Sequence, residues 1–262
     1  MTQGPVVVKF GGELVETQAR LDAVGEALSA LAAEGPLVVV HGGGREIDAE
    51  LARRGVPKQA VDGLRITDAA TLEAVVAVLG GTINTRLVAH LVGLGLQAVG
   101  LTGVDAALAR SRRAAAHVTA AGAEVDLGLV GEPEPGADLG VVSHLLAGGY
   151  VPVIASLGMS DEAGVLNVNA DTLAAHVAAG IGASELLLVG GTAGVLDGAG
   201  ATIPALTPRE ADGLMQDGTA SAGMVAKLRA ATTARARGVT RVTIVDGRSV
   251  EAMLARRGTR LD

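Results

Sequence analysis

The sequence predicts an α/β fold, in which an open, mainly parallel sheet carries helices on both faces. Short apolar runs rich in Val and Leu recur without strict polar alternation, which is typical of parallel strands buried on both faces. Patterns with apolar residues three and four positions apart separate these runs and predict helices. Ligands of such folds bind beyond the carboxyl ends of the strands. The predicted strands are residues 6–8, 37–40, 97–101, 151–155, 186–189 and 242–245.

Three helical patterns lie between the predicted strands, and the second follows Thr67 and Asp68, which are suited to cap a helix. Between residues 104 and 140 the alternation stops, and Gly and Pro favour hairpins and loops, which we expect to form a lid over one end of the sheet. A change of pattern at residues 158–164 is a candidate lobe boundary. The apolar positions of the three helices are Leu21, Val24, Leu28 and Leu31, then Leu72, Val75, Val76 and Leu79, then Met224, Val225 and Leu228.

The composition of the 262-residue chain argues against several classes of function. Because cysteine is absent, a disulfide scaffold, a thiolate zinc site and a cysteine nucleophile are excluded, and the five histidines lack the spacing of a metal-binding pair. A net charge of −7, with one Tyr, one Phe and no Trp, argues against nucleic-acid binding. No uninterrupted apolar run predicts a membrane span, and the strand at Val6 leaves no room for a signal peptide, so we expect a cytoplasmic protein.

A lysine and two glycines stand at the end of the first predicted strand. Lys9 ends the apolar run and Gly11 and Gly12 follow, so a cation and unhindered backbone N–H groups meet at a strand's carboxyl end. That combination is typical of phosphate sites. A solvated lysine followed by a flexible turn is the alternative interpretation.

A second glycine loop follows the strand at 37–40. Gly42, Gly43 and Gly44 lead into a helical pattern, where N–H groups at a positive helix end can bind a carboxylate or a phosphoryl group in transit. A glycine hinge is the alternative. Neither loop is a Walker A motif, and the glycines of residues 93–98 imitate a dinucleotide fingerprint but precede a strand, so we discount them.

Lysine is rare in a chain that otherwise uses arginine. Of twenty-one lysine and arginine residues, only Lys9, Lys58 and Lys227 are lysine. A lysine retained against that preference indicates a need for a compact ammonium, such as charge neutralisation of a transferring phosphoryl group. Lys9 and Lys227 are therefore candidate catalytic residues, whereas Lys58 is expected in a surface loop. Chance retention is the alternative.

Three Asx residues, Asn167, Asn169 and Asp171, alternate with small apolar residues just before a helical pattern. Asn169 is suited to cap that helix, but one cap does not account for all three. An aspartate here can orient two lysines by ion pairing, and an amide can bind a substrate carboxylate or acyl oxygen.

Five segments, taken in order, resemble the amino acid kinase family, and within it the branch that phosphorylates N-acetyl-L-glutamate. They are VKFGG at 8–12, VHGGG at 40–44, DGLRITD at 62–68, NVNAD at 167–171 and GMVAK at 223–227. The resemblance extends over essentially the full chain. It implies a three-layer α/β/α sandwich in which an N-terminal lobe, 1–160, binds the acyl amino acid and dimerises, and a C-terminal lobe, 161–262, binds ATP.

The resemblance also implies roles for individual residues. Lys9 and Lys227 would neutralise the phosphoryl group in transit, and Asp171 would hold both lysines. Mg²⁺ would be held mainly by the phosphates of ATP, with no metal ligand from the protein. The remaining implied contacts are Arg65, Asn167, Gly43 and Gly44 for the substrate, backbone N–H groups of Gly12 and Gly43 for the transition state, and Gly191, Gly194, Gly223 and Met224 for the nucleotide.

Two features depart from the family pattern. Gly191 stands where family members commonly carry an aspartate, so the nucleotide contacts are expected to differ in detail. The arginine-inhibited members carry an additional N-terminal helix that joins dimers into a hexamer, whereas this sequence begins at its first strand. We therefore expect a homodimer that arginine does not inhibit.

Other functions are compatible with parts of the pattern. A sister kinase acting on carbamate, glutamate, aspartate, UMP or a carrier-linked aminoadipate would use the same lysines and glycine loops. A sensor that binds nucleotide or amino acid without turnover is favoured only by Gly191. A nicotinamide dehydrogenase would need a glycine fingerprint after a strand, which the sequence lacks.

Overall fold

Sixteen strands and nine α-helices lie within residues 4–119, 122–162 and 164–262, which the computed structural model describes. The strands are β1 (Val6–Phe10), β2 (Leu37–His41), β3 (Ala60–Val61), β4 (Leu64–Arg65), β5 (Ala98–Thr102), β6 (Ser111–Arg113), β7 (His117–Val118), β8 (Glu124–Val125), β9 (Val130–Pro133), β10 (Val151–Ala155), β11 (Leu157–Ser160), β12 (Gly164–Val168), β13 (Glu185–Gly190), β14 (Ala205–Leu206), β15 (Arg241–Asp246) and β16 (Gly258–Leu261). The helices are α1 (Gln18–Glu34), α2 (Gly44–Arg54), α3 (Ala69–Val76), α4 (Asn84–Gly93), α5 (Gly140–Ala147), α6 (Ala170–Gly180), α7 (Pro208–Gln216), α8 (Ala222–Ala236) and α9 (Val250–Leu254).

Eight of these strands form one central sheet in the order β14-β16-β15-β13-β1-β2-β10-β5. Neighbouring strands are parallel except β15 and β16. The six predicted strands all lie in this sheet and are confirmed. The sequence did not predict β14 and β16, because β14 has only two residues and β16 alternates buried Thr259 and Leu261 with an exposed Arg260, unlike a fully buried strand.

Side chains of the central strands point alternately into two apolar layers. In β1, Val6, Val8 and Phe10 belong to one layer and Val7 to the other, and β2 and β13 alternate in the same way. Residues of α1 to α4 and α9 complete the first layer, and residues of α5 to α8 complete the second. The predicted three-layer α/β/α sandwich is therefore confirmed.

One helical stretch runs without a break from Ala69 to Gly93, where a π-helical turn, Ala77–Ile83, joins α3 to α4. Its predicted cap is confirmed for Asp68, whose carboxylate accepts a hydrogen bond from the backbone N–H of Thr71 at 2.8 Å. By length and composition alone, this stretch could cross a membrane. Core helices of soluble proteins meet the same criteria, and its inner side packs into the first apolar layer against the sheet.

The segment between residues 104 and 140 forms short strands and loops, as predicted. Its strands β6 and β9 join β11 and β12 in a second sheet of order β11-β12-β9-β6, and β7 pairs with β8 as a hairpin. The hairpin of β11 and β12 occupies the predicted lobe boundary. Positions 120 and 121 of the segment and position 163 of the boundary lie outside the described residues. The division into two lobes stays a prediction.

A substitution at Gly103, just beyond β5, tests how closely the second sheet packs against the central sheet. A Cβ there would overlap the carbonyl oxygen of Leu157 and lie 2.7 Å from the Cβ of Ala109. We expect Gly103→Ala to lower the free energy of unfolding by about 1–3 kcal/mol, the usual cost of overpacking, in urea denaturation. The control is Gly93→Ala at the exposed end of α4, where a Cβ meets nothing within 4 Å. Equal stability of the two variants would contradict the packing described.

Candidate active site

A buried carboxylate lies between two lysines at the carboxyl edge of the central sheet. Asp171 Oδ1 is 3.0 Å from Lys9 Nζ and 3.1 Å from Lys227 Nζ. Lys9 and Asp171 are each only 5% exposed. The structure thus brings together the three residues that the sequence indicated as catalytic candidates. Since one anion faces two cations, the group retains a net positive charge with which to meet a phosphoryl oxygen.

Three elements hold these side chains in place. Lys9 lies on β1, which pairs with β2 on one side and β13 on the other. Asp171 is in the first turn of α6, where the side-chain oxygen of Asn169 accepts hydrogen bonds from the backbone N–H groups of Asp171 at 2.9 Å and Thr172 at 3.1 Å. This confirms Asn169 as the helix cap, and the cap fixes the position of Asp171. Lys227 reaches the same carboxylate from α8.

The two predicted glycine loops lie against each other. A Cβ on Gly12 would lie 2.7 Å from the Cα of Gly43, so a side chain at position 12 would force the loops apart. Gly43 precedes the first residue of α2, and the N-terminal turns of α2 and α6 both line the cavity that contains the two lysines. Backbone N–H groups at these helix ends favour a bound anion.

His41 supports the second glycine loop from the core. Its ring is fully buried, and burial lowers the pKa of His41 to about 4, so the imidazole is neutral. Its Nε2 lies 3.0 Å from Asn84 Nδ2, and the Asn84 amide also donates to the carbonyl oxygen of Val153 at 2.9 Å. Since an amide N–H donates, Nε2 accepts, and Nδ1 faces the carbonyl oxygen of Gly42 at 3.3 Å. His41 is therefore a satisfied core histidine, not a metal ligand.

One cavity of about 330 Å³ contains most of the predicted site. The lysines and Asp171 line it, and it extends toward β4 and the end of β12. Val130 of β9 also lines it, which places the second sheet beside the cavity, although its action as a lid stays a prediction. The predicted residues that line this cavity are Lys9, Gly12, Gly43, Gly44, Arg65, Asn167, Asp171, Gly223 and Lys227.

Arg65 and Asn167 present polar groups to this cavity. Arg65 Nη2 donates to the carbonyl oxygen of Gly44 at 3.2 Å and to the carboxylate of Asp48, whereas Nη1 is buried without a hydrogen-bond partner. Asn167 Nδ2 donates to Thr67 Oγ1 at 3.1 Å. A buried guanidinium N–H without a partner is costly unless a ligand satisfies it, and a carboxylate is its preferred acceptor.

Three of the predicted nucleotide residues do not line the cavity. Gly191 is exposed just after β13, and a Cβ there would meet nothing within 4 Å. Gly194 has a φ of +117° beside Thr259, and Met224 packs against the second apolar layer. The structure therefore groups only Gly223 of this set with the lysines, and the nucleotide roles of the other three stay predictions.

Sequence reasoning missed several residues that the fold brings to the site. Glu13, Ser156 and Ala170 line the cavity, and Asp48 contacts Arg65 directly. Glu13 and Ala170 are immediate neighbours of recognised motifs, and Ser156 follows the predicted strand at 151–155, so their positions were available signals. The contact of Asp48 with Arg65 depends on how α2 lies against β4, which no local pattern indicates.

Comparison with known proteins assigns the family. The amino acid kinase family model matches residues 4–246. The chain belongs to the amino acid kinase family. It is 41% identical to the acetylglutamate kinase of Acidiphilium cryptum over 255 residues, covering 95% of this chain and 85% of that protein. The acetylglutamate kinase of Halorhodospira halophila is 40% identical over 256 residues, with 95% and 84% covered. The solved structure of smu.665 from Streptococcus mutans superposes with a TM-score of 0.80 at 26% identity, covering 98% of each chain.

The pKa values of the two lysines of this amino acid kinase shift in opposite directions. Burial opposes the charge of Lys9, but the ion pair with Asp171 outweighs it and raises the Lys9 pKa. Burial, together with repulsion from Lys9, lowers the pKa of Lys227 to about 8. Burial also opposes the charge of Asp171, but both lysines outweigh it and lower the Asp171 pKa. At neutral pH both lysines are charged, and Lys227 is the first to lose its proton as the pH rises.

The pH dependence of catalysis follows from Lys227. Below its pKa of about 8 the ammonium is charged, and above it the charge is lost, so we expect kcat/KM for phosphoryl transfer to fall above pH 8. ADP release measured between pH 6 and 10 tests this. In Lys227→Arg the guanidinium stays protonated between pH 6 and 10. The fall in kcat/KM should therefore move above pH 10 in this variant, even if kcat/KM is lower than in the wild type. A wild-type profile that stays flat to pH 10 would contradict the assignment.

Proposed function

We propose that the protein transfers the γ-phosphoryl group of ATP to the side-chain carboxylate of N-acetyl-L-glutamate. The products are N-acetyl-L-glutamyl 5-phosphate and ADP, a step of arginine biosynthesis. The observation that carries the proposal is that the Lys9, Asp171 and Lys227 group lines one cavity together with Arg65, whose Nη1 is buried without a hydrogen-bond partner. The two relatives named acetylglutamate kinase, 40% and 41% identical over 95% of this chain, support this substrate.

In the proposed mechanism the substrate is bound at one end and reacts at the other. Arg65 binds the α-carboxylate, with Asn167 and the loop at Gly43 and Gly44 beside it, so the side-chain carboxylate points toward the lysines. A carboxylate oxygen forms a bond to the γ-phosphorus in line as the bond to the bridging oxygen of ADP breaks. A carboxylate is already ionised at neutral pH, so no general base is required. Lys9 and Lys227 neutralise the negative charge of the phosphoryl oxygens, and the backbone N–H of Gly12 donates a hydrogen bond to them.

The nucleotide belongs, in this proposal, to the lobe of residues 161–262. Gly223 at the start of α8 lines the cavity next to Lys227, which supports phosphate binding there. Mg²⁺ supplies charge neutralisation and is proposed to be held mainly by the phosphates. In the described part of the chain, no group of three or more His, Asp or Glu side chains is placed to hold a metal ion. Gly191, Gly194 and Met224 are proposed to contact the nucleoside.

The substrate assignment is tested by ADP release from MgATP with hydroxylamine present to trap an acyl phosphate. We expect hydroxamate with N-acetyl-L-glutamate and none with free glutamate or aspartate, because only the acylated amino acid matches the proposed substrate. Carbamate and UMP are the matched controls for sister kinases, and ADP release with either would identify such an enzyme. Nucleotide binding without turnover of any of these substrates would favour a sensor and contradict the proposal.

The proposal includes a homodimer and a cytoplasmic location. Among the residues that the structure describes, no strand pairs with the outer side of the edge strand β5, and α4, which packs beside it, exposes Val92 at 52%. The unpaired backbone groups of an edge strand can pair with a strand of a second copy. We expect light scattering to give twice the chain mass of 25.9 kDa. A monomer or a hexamer would contradict this. Insensitivity to arginine stays a prediction.

A further inference from the structure

A chain of two ion pairs lies behind the substrate-binding arginine. Asp48, on α2, accepts a hydrogen bond from Arg65 Nη2 through Oδ1 and from Lys58 Nζ through Oδ2, the latter at 2.7 Å. The side chain of Arg65 is 14% exposed and that of Asp48 33% exposed. Lys58, which the sequence placed in a surface loop, does lie in the loop after α2 but is paired with this carboxylate.

These contacts fix one end of the guanidinium and leave the other end free. Arg65 Nη2 is held by the Asp48 carboxylate and by the carbonyl oxygen of Gly44, one turn apart on the same helix. Two acceptors on a rigid element determine the plane and direction of a planar guanidinium. The Nη1 group is buried without a partner, and Arg65 lines the cavity. The guanidinium is therefore held beside the cavity in advance of substrate binding.

Lys58 keeps the cluster of Arg65, Asp48 and Lys58 positively charged. Asp48 alone would neutralise Arg65 and weaken its attraction for an anion. With Lys58 on the other carboxylate oxygen, the three groups keep a net charge of about +1, because burial opposes the ionisation of Asp48 but Lys58 and Arg65 outweigh it and lower the Asp48 pKa. N-acetyl-L-glutamate carries two carboxylates at neutral pH, so this residual charge favours its binding.

We propose that Asp48 is a positioning residue for Arg65, that Lys58 is its counter-ion, and that together they preset the guanidinium for the α-carboxylate of the acyl amino acid. The inference rests on the proposed function. It places Asp48 and Lys58 in recognition and not in phosphoryl transfer, since neither lines the cavity next to the lysines. It also gives a role to Lys58, the third lysine of a chain that otherwise uses arginine.

Asp48→Asn tests the inference because it keeps the shape of the side chain and removes its charge. We expect KM for N-acetyl-L-glutamate to rise about five- to twenty-fold, the scale of losing a half-buried, charge-assisted hydrogen bond. The values of kcat and of KM for ATP should stay within about two-fold, because only ground-state binding of one substrate is weakened. The matched control is Glu50→Gln on the same helix, whose carboxylate pairs with Arg53 and Arg54 instead.

Two further variants separate positioning from a merely structural role. Lys58→Met leaves Asp48 in place and should raise the KM for N-acetyl-L-glutamate about two- to five-fold. It replaces Asp48→Asn as the test variant if Asp48→Asn melts at a much lower temperature than the wild type. In an Arg65→Lys background, Asp48→Asn should add little further increase in KM, since it acts through the guanidinium. Additive effects of the two substitutions would overturn the inference.

The outcomes for the inference and for the proposed function are distinct. A wild-type enzyme that turns over N-acetyl-L-glutamate, with an Asp48→Asn variant of unchanged KM, overturns the inference alone. A fall in kcat at unchanged KM also overturns it, because that pattern would place Asp48 in the chemical step. A wild-type enzyme that leaves N-acetyl-L-glutamate unreacted overturns the proposed function and the inference together.

Discussion

The rest of the site depends on one buried carboxylate that is shared by two ammonium groups. Asp171 holds Lys9 and Lys227 on the same oxygen, with N–O distances of 3.0 and 3.1 Å. Two cations brought so close would repel each other and shed a proton without that anion. Removing the carboxylate would leave buried charge without compensation, which is far more costly than losing a surface ion pair. Asp171 is therefore what allows the fold to keep two positive charges together where a phosphoryl group can meet them.

The fold supplies this arrangement through its parallel strands and its glycines. Lys9 is carried by β1 at the centre of the sheet, while α6 and α8 approach from the second layer and bring Asp171 and Lys227 to the same edge. Gly12 and Gly43 let the two loops touch, and the helix ends nearby add backbone N–H groups. The residues proposed to recognise the substrate lie on α2 and β4, so the proposed binding and charge-neutralising groups belong to different elements around one cavity.

Much of the fold and of the candidate site could be predicted from the sequence, for physical reasons that differ between residues. Five of the six predicted strands are buried on both faces, so their apolar runs are clear, and retained lysine in an arginine-rich chain indicated Lys9 and Lys227. Asn169 was predictable because capping is local. The short strands β14 and β16, at one end of the central sheet, carry too little pattern to be found. The contacts of Asp48 with Arg65 and Lys58 were missed because they depend on the packing of α2. The nucleotide roles of Gly191, Gly194 and Met224 come from the family resemblance and stay predictions.

The most direct test of the central role of this ion group is the turnover of Lys227→Ala. At saturating MgATP and N-acetyl-L-glutamate, kcat should fall by about 10²–10³, as for the loss of an oxyanion donor, while KM for N-acetyl-L-glutamate stays within about two-fold. Arg229→Ala, on the exposed side of the same helix, is the control and should keep wild-type turnover. A folded Lys227→Ala enzyme with nearly wild-type kcat would contradict the account.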